Sequence, residues 1–75
     1  MDIQSLADIS IGEPKTIDSL VGEPLLCQRL QALGFHIGEQ VIIEHRVLFG
    51  EPCVVRVQNL SVALRKEELS CVRVK

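Results

Sequence analysis

Residues 29–41 read RLQALGFHIGEQV, a stretch that begins with the spacing of a helix and ends with that of a strand. Apolar residues recur at i, i+4 and i+7, at Leu26, Leu30 and Leu33, which predicts one apolar stripe along a helix. Gly34 is the expected left-handed cap, because glycine adopts positive φ without steric cost. The stretch therefore predicts a short helix that ends at one glycine and a strand that starts after another.

The predicted helix begins at Pro24, because proline at the first helical position loses no intrahelical hydrogen bond and has its φ already set. After Gly34, Phe35 is expected to fold back onto Leu30 as the hydrophobic contact of the cap. Gly38 then marks the turn into the strand. A helix of about three turns is hard to stabilise alone, so we expect it to pack on a sheet.

Five short strands are predicted from alternating apolar residues that are bounded by turn residues. They cover residues 15–21, 41–47, 53–58, 62–64 and 71–75. Residues 66–69 suit one helical turn, and residues 49–52, which include Gly50 and Pro52, suit a hairpin connection. The strand residues expected to face inward are Val41, Ile43, Cys53, Val55, Val57, Val72 and Val74.

These elements predict a mainly β fold, a small five-stranded and partly open barrel of the SH3-like or OB type. One α-helix is inserted in it, and a short helical turn follows later. At 75 residues the chain is expected to be a single domain, 1–75, with a core of Val, Leu and Ile, because only 3% of the residues are aromatic. Leu6, Ile9 and Ile11 are expected to anchor the lead-in segment through a short helical turn near Ser5.

The cysteines and histidines predict neither a disulfide framework nor a metal centre. Cys27, Cys53 and Cys71 are an odd number at wide spacing. Together with His36 and His45 they lack the short spacing of structural metal ligands, so we predict no metal site and no cofactor. Free thiols, without a secretory leader or a membrane-length apolar run, predict a cytoplasmic protein that does not insert into a membrane.

No group of residues predicts catalysis, because the chain has neither a serine elbow nor a phosphate-binding glycine loop. Proline-rich peptides and single-stranded nucleic acids are bound on aromatic side chains, and this chain has two Phe and no Trp or Tyr. Surface recognition of another protein remains. Arg29 and Arg65 are suited to contacts with carboxylates or carbonyls, and an internal ion pair would explain either of them equally well.

Four motifs together resemble the FeoA family, the small cytosolic component of bacterial ferrous iron transport. They are RLxxLGFxxGxxV at residues 29–41, GEP at 50–52, VALR at 62–65 and VxV at 72–74. The resemblance covers nearly the whole chain. It implies an SH3-like barrel with a helical insertion, and a protein partner, FeoB, whose cytosolic guanine-nucleotide-binding domain and membrane permease take up Fe(II).

The resemblance also bears on rival functions. The same kind of domain occurs at the C-terminus of some iron-dependent repressors, after a DNA-binding domain. Nothing precedes it in this sequence, so a stand-alone transport accessory is the better match. The alternatives are a general protein-interaction or oligomerisation module unconnected with iron and, after that, a nucleic-acid-binding barrel.

We therefore expect a non-enzymatic accessory protein that binds and modulates FeoB at its GTPase domain, with no nucleic-acid partner and no ligand spacing that supports Fe(II) binding. The candidate partner-binding residues are Arg29, Arg65, Gln28 and Ala32, and either arginine also suits an arginine finger in GTP hydrolysis. The structural turn or cap residues are Pro24, Gly34, Gly38, Gly50 and Pro52. The chain is expected to be a monomer or a weak homo-oligomer, because a partly open barrel leaves strand edges that can pair.

Overall fold

The computed structural model describes residues 2–47 and 52–75. A short 3₁₀ turn at Leu6–Asp8 precedes most of the sheet. In chain order the other elements are β1 (Gln4–Ser5), β2 (Lys15–Leu20), α1 (Pro24–Ala32), β3 (Gln40–Arg46), β4 (Cys53–Val57), β5 (Leu60–Leu64), α2 (Lys66–Cys71) and β6 (Val72–Val74).

The strands form one sheet in the order β1-β6-β2-β3-β4-β5, and neighbouring strands are antiparallel throughout. Within the described residues β1 and β5 pair on one side only, so they are the two edges of an open sheet. The register shifts between Ile17 and Ser19 in β2 and again between Ile43 and His45 in β3. Such irregularities bend strands and help a short sheet to curl around a core.

The predicted fold class, a mainly β and partly open SH3-like barrel with one inserted helix, is confirmed. The structure adds one strand to the five predicted, because Gln4 and Ser5 pair with Val74 and Arg73 of β6. The second helix is also longer than one turn. It extends to Cys71, so the last strand begins one residue later than predicted, at Val72.

The core lies on the inner face of the sheet, under α1 and the N-terminal segment. Its largest fully buried side chain is Phe35, whose backbone N–H donates to the carbonyl oxygen of Leu30 at 3.0 Å. The residues predicted to face inward are all buried: Val41, Ile43, Cys53, Val55, Val57, Val72 and Val74. Among the described residues the core is mainly Val, Leu and Ile, as the composition predicted, and Phe35, Cys53 and Cys71 are buried with them.

The N-terminal segment follows the prediction in part. Leu6 and Ile9 are buried, and the Ser5 hydroxyl accepts from the Ala7 N–H at 3.2 Å at the start of the helical turn. The expectation that Ile11 anchors the segment is wrong, because its side chain is 55% exposed. Ile11 lies in a turn whose next residue, Gly12, donates its N–H to Ile43 O at 2.8 Å, so the backbone rather than the side chain holds this turn to the sheet.

Two further observations concern the connections. The predicted hairpin at residues 49–52 falls largely outside the described residues, Gly50 included, and Pro52 is exposed at its end. Neither helix in the described part of the chain has the length and apolar character needed to cross a membrane.

Candidate protein-binding surface

The outward side of α1 is an exposed face of mixed character. Pro24 occupies the first helical position, and Leu30 is the residue of the helix that is fully buried. Leu25, Gln28, Arg29 and Ala32 are exposed. Because they are spaced at i, i+3, i+4 and i+7, these four residues lie on one side of the helix, here called the outer face of α1. Leu25 is 70% exposed, an unusual position for a large aliphatic side chain.

The C-terminal end of α1 is closed by backbone bonds typical of a glycine cap. Gly34, at φ +107°, donates its N–H to Gln31 O at 3.0 Å, and the following Phe35 N–H reaches Leu30 O. Gly38 has φ +94° and donates to Ile17 O at 2.9 Å, which joins the loop to β2. These bonds fix the direction of α1 relative to the sheet and thereby the position of its outer face.

Glu68 connects α1 to α2. It is only 4% exposed, and it is the buried charged residue of the described chain. Its Oε1 accepts from the backbone N–H of Arg65 at 2.9 Å, which caps the first turn of α2. Its Oε2 lies 2.9 Å from Arg29 Nη1, which makes an ion pair. The N–H of Arg29 is not aligned with Oε2, so this contact is not a hydrogen bond. Arg29 therefore makes an internal ion pair while its side chain stays 62% exposed.

A groove of about 470 Å³ lies beside this ion pair. Its lining residues come from α1, α2, β5 and the residues just before β4 and α2: Leu26, Arg29, Pro52, Ala63, Arg65, Glu67 and Glu68. Within residues 2–47 and 52–75 the guanidinium of Arg65 makes no ion pair. This groove, here called the α1–α2 groove, is thus lined by three apolar residues, two arginines and two glutamates.

The structure brings Arg29 and Arg65 to one groove, although they are far apart in the sequence. Gln28 and Ala32 lie outside the groove, on the outer face of α1. Sequence reasoning missed Leu25 and Glu68. The sequence did carry a signal for Glu68. It lies three residues after Arg65, the residue before α2, and a glutamate at that position commonly caps a helix. Leu25 had a weaker signal, its spacing of four from Arg29.

A separate polar patch lies on the outer surface of β3, β4 and β5. The Glu44 carboxylate accepts from the Ser61 hydroxyl and from Arg56 Nε, each at 2.7 Å. These two hydrogen bonds, with Ser61 the larger cause, lower the pKa of Glu44 below its usual value. A smaller groove of about 280 Å³ adjoins the patch at Arg56. None of the candidate partner-binding residues lines it.

The sulfur and imidazole groups do not assemble into a metal centre. Among the described residues no three His, Cys, Asp or Glu side chains gather closely enough to hold a metal ion. His36 Nε2 lies 2.9 Å from Gln31 O. Burial is the largest cause that raises the pKa of the Cys71 thiol, which disfavours the thiolate that metals and electrophiles require.

Comparison with known proteins identifies the family. A family model described as the FeoA domain matches residues 4–75. The chain belongs to the FeoA family. The resemblance that the motifs suggested is therefore confirmed, and with it a link to ferrous iron transport. Sequence comparison with curated proteins gives no match.

Solved structures of FeoA proteins superpose closely on this FeoA chain. Iron(II) transport protein A from Clostridium thermocellum is 29% identical with a TM-score of 0.89, over 96% of this chain and 44% of that one. The zinc complex of Stenotrophomonas maltophilia FeoA is 28% identical with a TM-score of 0.85, over 96% of this chain and 89% of that one. That protein is named as a prokaryotic SH3 domain protein and a candidate activating factor for ferrous iron transport.

The FeoA fold also occurs within larger regulators. A manganese-dependent transcriptional repressor bound to manganese has a TM-score of 0.89 at 14% identity, over 99% of this chain and 36% of that one. Identity this low shows a shared fold and nothing of a shared activity.

Proposed function

We propose that this FeoA protein is a cytoplasmic, non-enzymatic accessory of bacterial ferrous iron uptake that binds and modulates the transporter FeoB at its cytosolic GTPase domain. Membership of the family supports the link to iron transport. The observation that carries the binding proposal is Leu25, which is 70% exposed on a helix face that also presents Gln28, Arg29 and Ala32.

The chemistry of this surface suits a protein partner. Protein interfaces are held by a few apolar or arginine anchors surrounded by residues that exclude water. The outer face of α1 offers Leu25 as the apolar anchor and Arg29 as the polar one, one turn apart. Arg65 extends the surface across the α1–α2 groove. Glu68 holds Arg29 in position before binding, which reduces the ordering cost of the complex.

Modulation of FeoB has two candidate forms. Simple docking requires only the surface described above. An arginine finger requires a guanidinium that can leave the FeoA surface and reach the transferring phosphoryl group. Arg65 suits this better than Arg29, because Arg29 is engaged by Glu68 and Arg65 has no ion pair in the described chain. The GTP hydrolysis rate of the isolated domain, measured with wild type and with Arg65→Gln, separates the two forms.

The decisive experiment measures binding of this protein to the isolated cytosolic domain of FeoB, with and without guanine nucleotide. Leu25→Ser is expected to weaken binding by about tenfold or more, because truncating an interface anchor costs at least ~1.5 kcal/mol. Ile37→Ser is the matched control, since Ile37 is 73% exposed and lies outside the outer face of α1. Equal binding by all three proteins would refute the assignment of the surface. If the wild-type protein did not bind, the proposal that FeoB is its partner would be refuted.

A general interaction module unconnected with iron is the second candidate. Retention of the protein on membranes that contain FeoB, and not on matched membranes that lack it, supports the first candidate. The second candidate is supported if the protein is retained equally on both kinds of membrane and instead captures a partner unrelated to transport.

A further inference from the structure

The edge strand β5 lacks the features with which proteins protect an exposed strand. Edge strands usually carry a charge, a proline or a bulge that prevents pairing with another chain. β5 reads LSVAL at Leu60–Leu64, with no charge, proline or glycine, and it pairs with β4 in an unbroken register. The other edge, β1, has only two residues and is followed directly by a helical turn. β5 is therefore the edge that can accept another strand.

The hairpin between β4 and β5 shows which backbone groups of β5 point outward. Two turn residues, Gln58 and Asn59, connect Val57 to Leu60, and Gln58 has φ +55° as two-residue hairpins require. Val57 and Leu60 therefore form a hydrogen-bonded pair. Because such pairs alternate along an antiparallel ladder, the N–H and C=O groups of Ser61 and Ala63 point away from β4. Both residues are exposed.

Among the described residues, a groove lies beside part of this edge. Ala63 lines the α1–α2 groove of about 470 Å³, so α1 does not cover the strand there. Leu60 lies on the same side of the strand as the buried Leu64, yet it is 47% exposed. The apolar side chain of Leu60 thus lies on the core side of the sheet, at the β5 edge, which no other described residue covers by pairing.

The sequence of β5 is nearly its own reverse. Read about Val62, Leu60 corresponds to Leu64 and the small residue Ser61 corresponds to the small residue Ala63. Two copies related by a two-fold axis through Val62 would place each leucine opposite a leucine. They would also place the outward groups of Ser61 opposite those of Ala63. That register satisfies four backbone hydrogen bonds and buries Leu60, which makes the strand self-complementary in the sense that a two-fold interface requires.

We propose that β5 is a self-association edge, at which two copies of this chain pair antiparallel about Val62 and join their sheets into one. The proposal does not depend on the proposed function, since it concerns the protein alone. The contact is short, so the dimer is weak and forms at high concentration.

The test uses the purified protein at increasing concentration, up to about 1 mM, where weak association becomes visible. Sedimentation gives the dimer fraction, and amide NMR shifts locate the contact. The expected result is a concentration-dependent change centred on the amides of Ser61 and Ala63. Ala63→Pro removes one outward N–H from each chain and leaves the bonds to β4 in place. It should weaken the dimer by about tenfold, since two hydrogen bonds are lost.

Two variants keep the test decisive. Ala63→Lys introduces the charge that natural edges use, and it gives the answer if the proline variant fails to fold. Ile3→Ser removes a large exposed side chain beside β1, the opposite edge of the sheet, and should leave dimerisation unchanged. A protein that stays monomeric at the highest concentration overturns the proposal. A dimer that both Ala63 variants retain, or that Ile3→Ser abolishes, also overturns it.

Discussion

Glu68 is a buried carboxylate that one arginine side chain and one arginine backbone group hold in place. Its Oε1 caps α2 through the Arg65 N–H, and its Oε2 faces Arg29 Nη1 across the junction of the two helices. A carboxylate buried to this extent is costly unless it is paired. Arg29 therefore stabilises the fold while most of its side chain stays exposed to solvent.

Arg29→Ala should lower the free energy of unfolding by about 1 kcal/mol. Removing one partner of a buried pair leaves the other charge uncompensated, but the 62% exposure of Arg29 means that solvent already screens the interaction. Urea denaturation measures the change. Arg29→Lys keeps the charge and should lose less, so a lysine variant as unstable as the alanine variant would contradict the electrostatic explanation.

The candidate site could be predicted from the sequence only in part. Arginine is a good recognition residue, which favours Arg29 and Arg65, and the sequence alone allows an internal ion pair equally well. The structure shows such a pair for Arg29. Its acid, Glu68, lies 39 positions away, and no local pattern links the two residues. Arg29 and Glu68 meet only because α1 packs against α2 in the folded protein.

Among the elements, those with a repeating pattern were predictable. The glycine cap marked the end of α1, and a period of two marked the main strands. β1 could not be predicted, because two residues carry no period and Gln4–Ser5 becomes a strand only by pairing with β6. The exposed position of Ile11 was missed for a related reason, since apolar character alone does not reveal that a backbone turn directs a side chain into solvent.

The three strands β3, β4 and β5 are linked on their outer surface by Glu44, which makes the stability of this region depend on pH. Its pKa is lowered in the folded protein by the hydroxyl of Ser61 and the guanidinium of Arg56. The unfolded chain therefore binds the proton first as the pH falls. The stabilisation is fully present above the usual pKa of 4.5 and is lost as the pH falls through the lower folded value.

Ser61→Ala should reduce this acid sensitivity, because it removes the larger cause of the lowered pKa. The measurement is the denaturation midpoint of wild type and variant from neutral pH to below 4.5. The difference between the two proteins should shrink as the pH falls. Ser70→Ala is the matched control, since the Ser70 hydroxyl bonds the Lys66 carbonyl rather than a carboxylate. If both variants showed the same pH profile, the role of Glu44 would be disproved.

Arg46 joins the N-terminal segment to the far end of β3 and so connects the two ends of the first half of the chain. Its Nη2 donates to the carbonyl oxygens of Ala7 and Ile9, at 3.3 Å and 2.5 Å, across more than 35 residues of sequence. The segment it holds contributes Leu6 and Ile9 to the core. Strict alternation from Val41 and Ile43 would place Arg46 on the outer side of the strand. The register shift after Ile43 gives β3 the bend at which this side chain reaches back.

Arg46→Ala should therefore destabilise the protein by about 2 kcal/mol, because two charge-assisted hydrogen bonds are lost and two partly buried carbonyls are left without them. The loss should be concentrated in the N-terminal segment. Hydrogen exchange at the Ile9 amide, which bonds Leu6 O at 3.2 Å, should accelerate more than exchange in β4. Arg56→Ala is the control, because Arg56 pairs with Glu44 on the solvent-exposed surface of the sheet, where an ion pair adds little to stability. Uniform acceleration across the sheet would show instead that Arg46 stabilises the fold as a whole rather than fastening one segment to it.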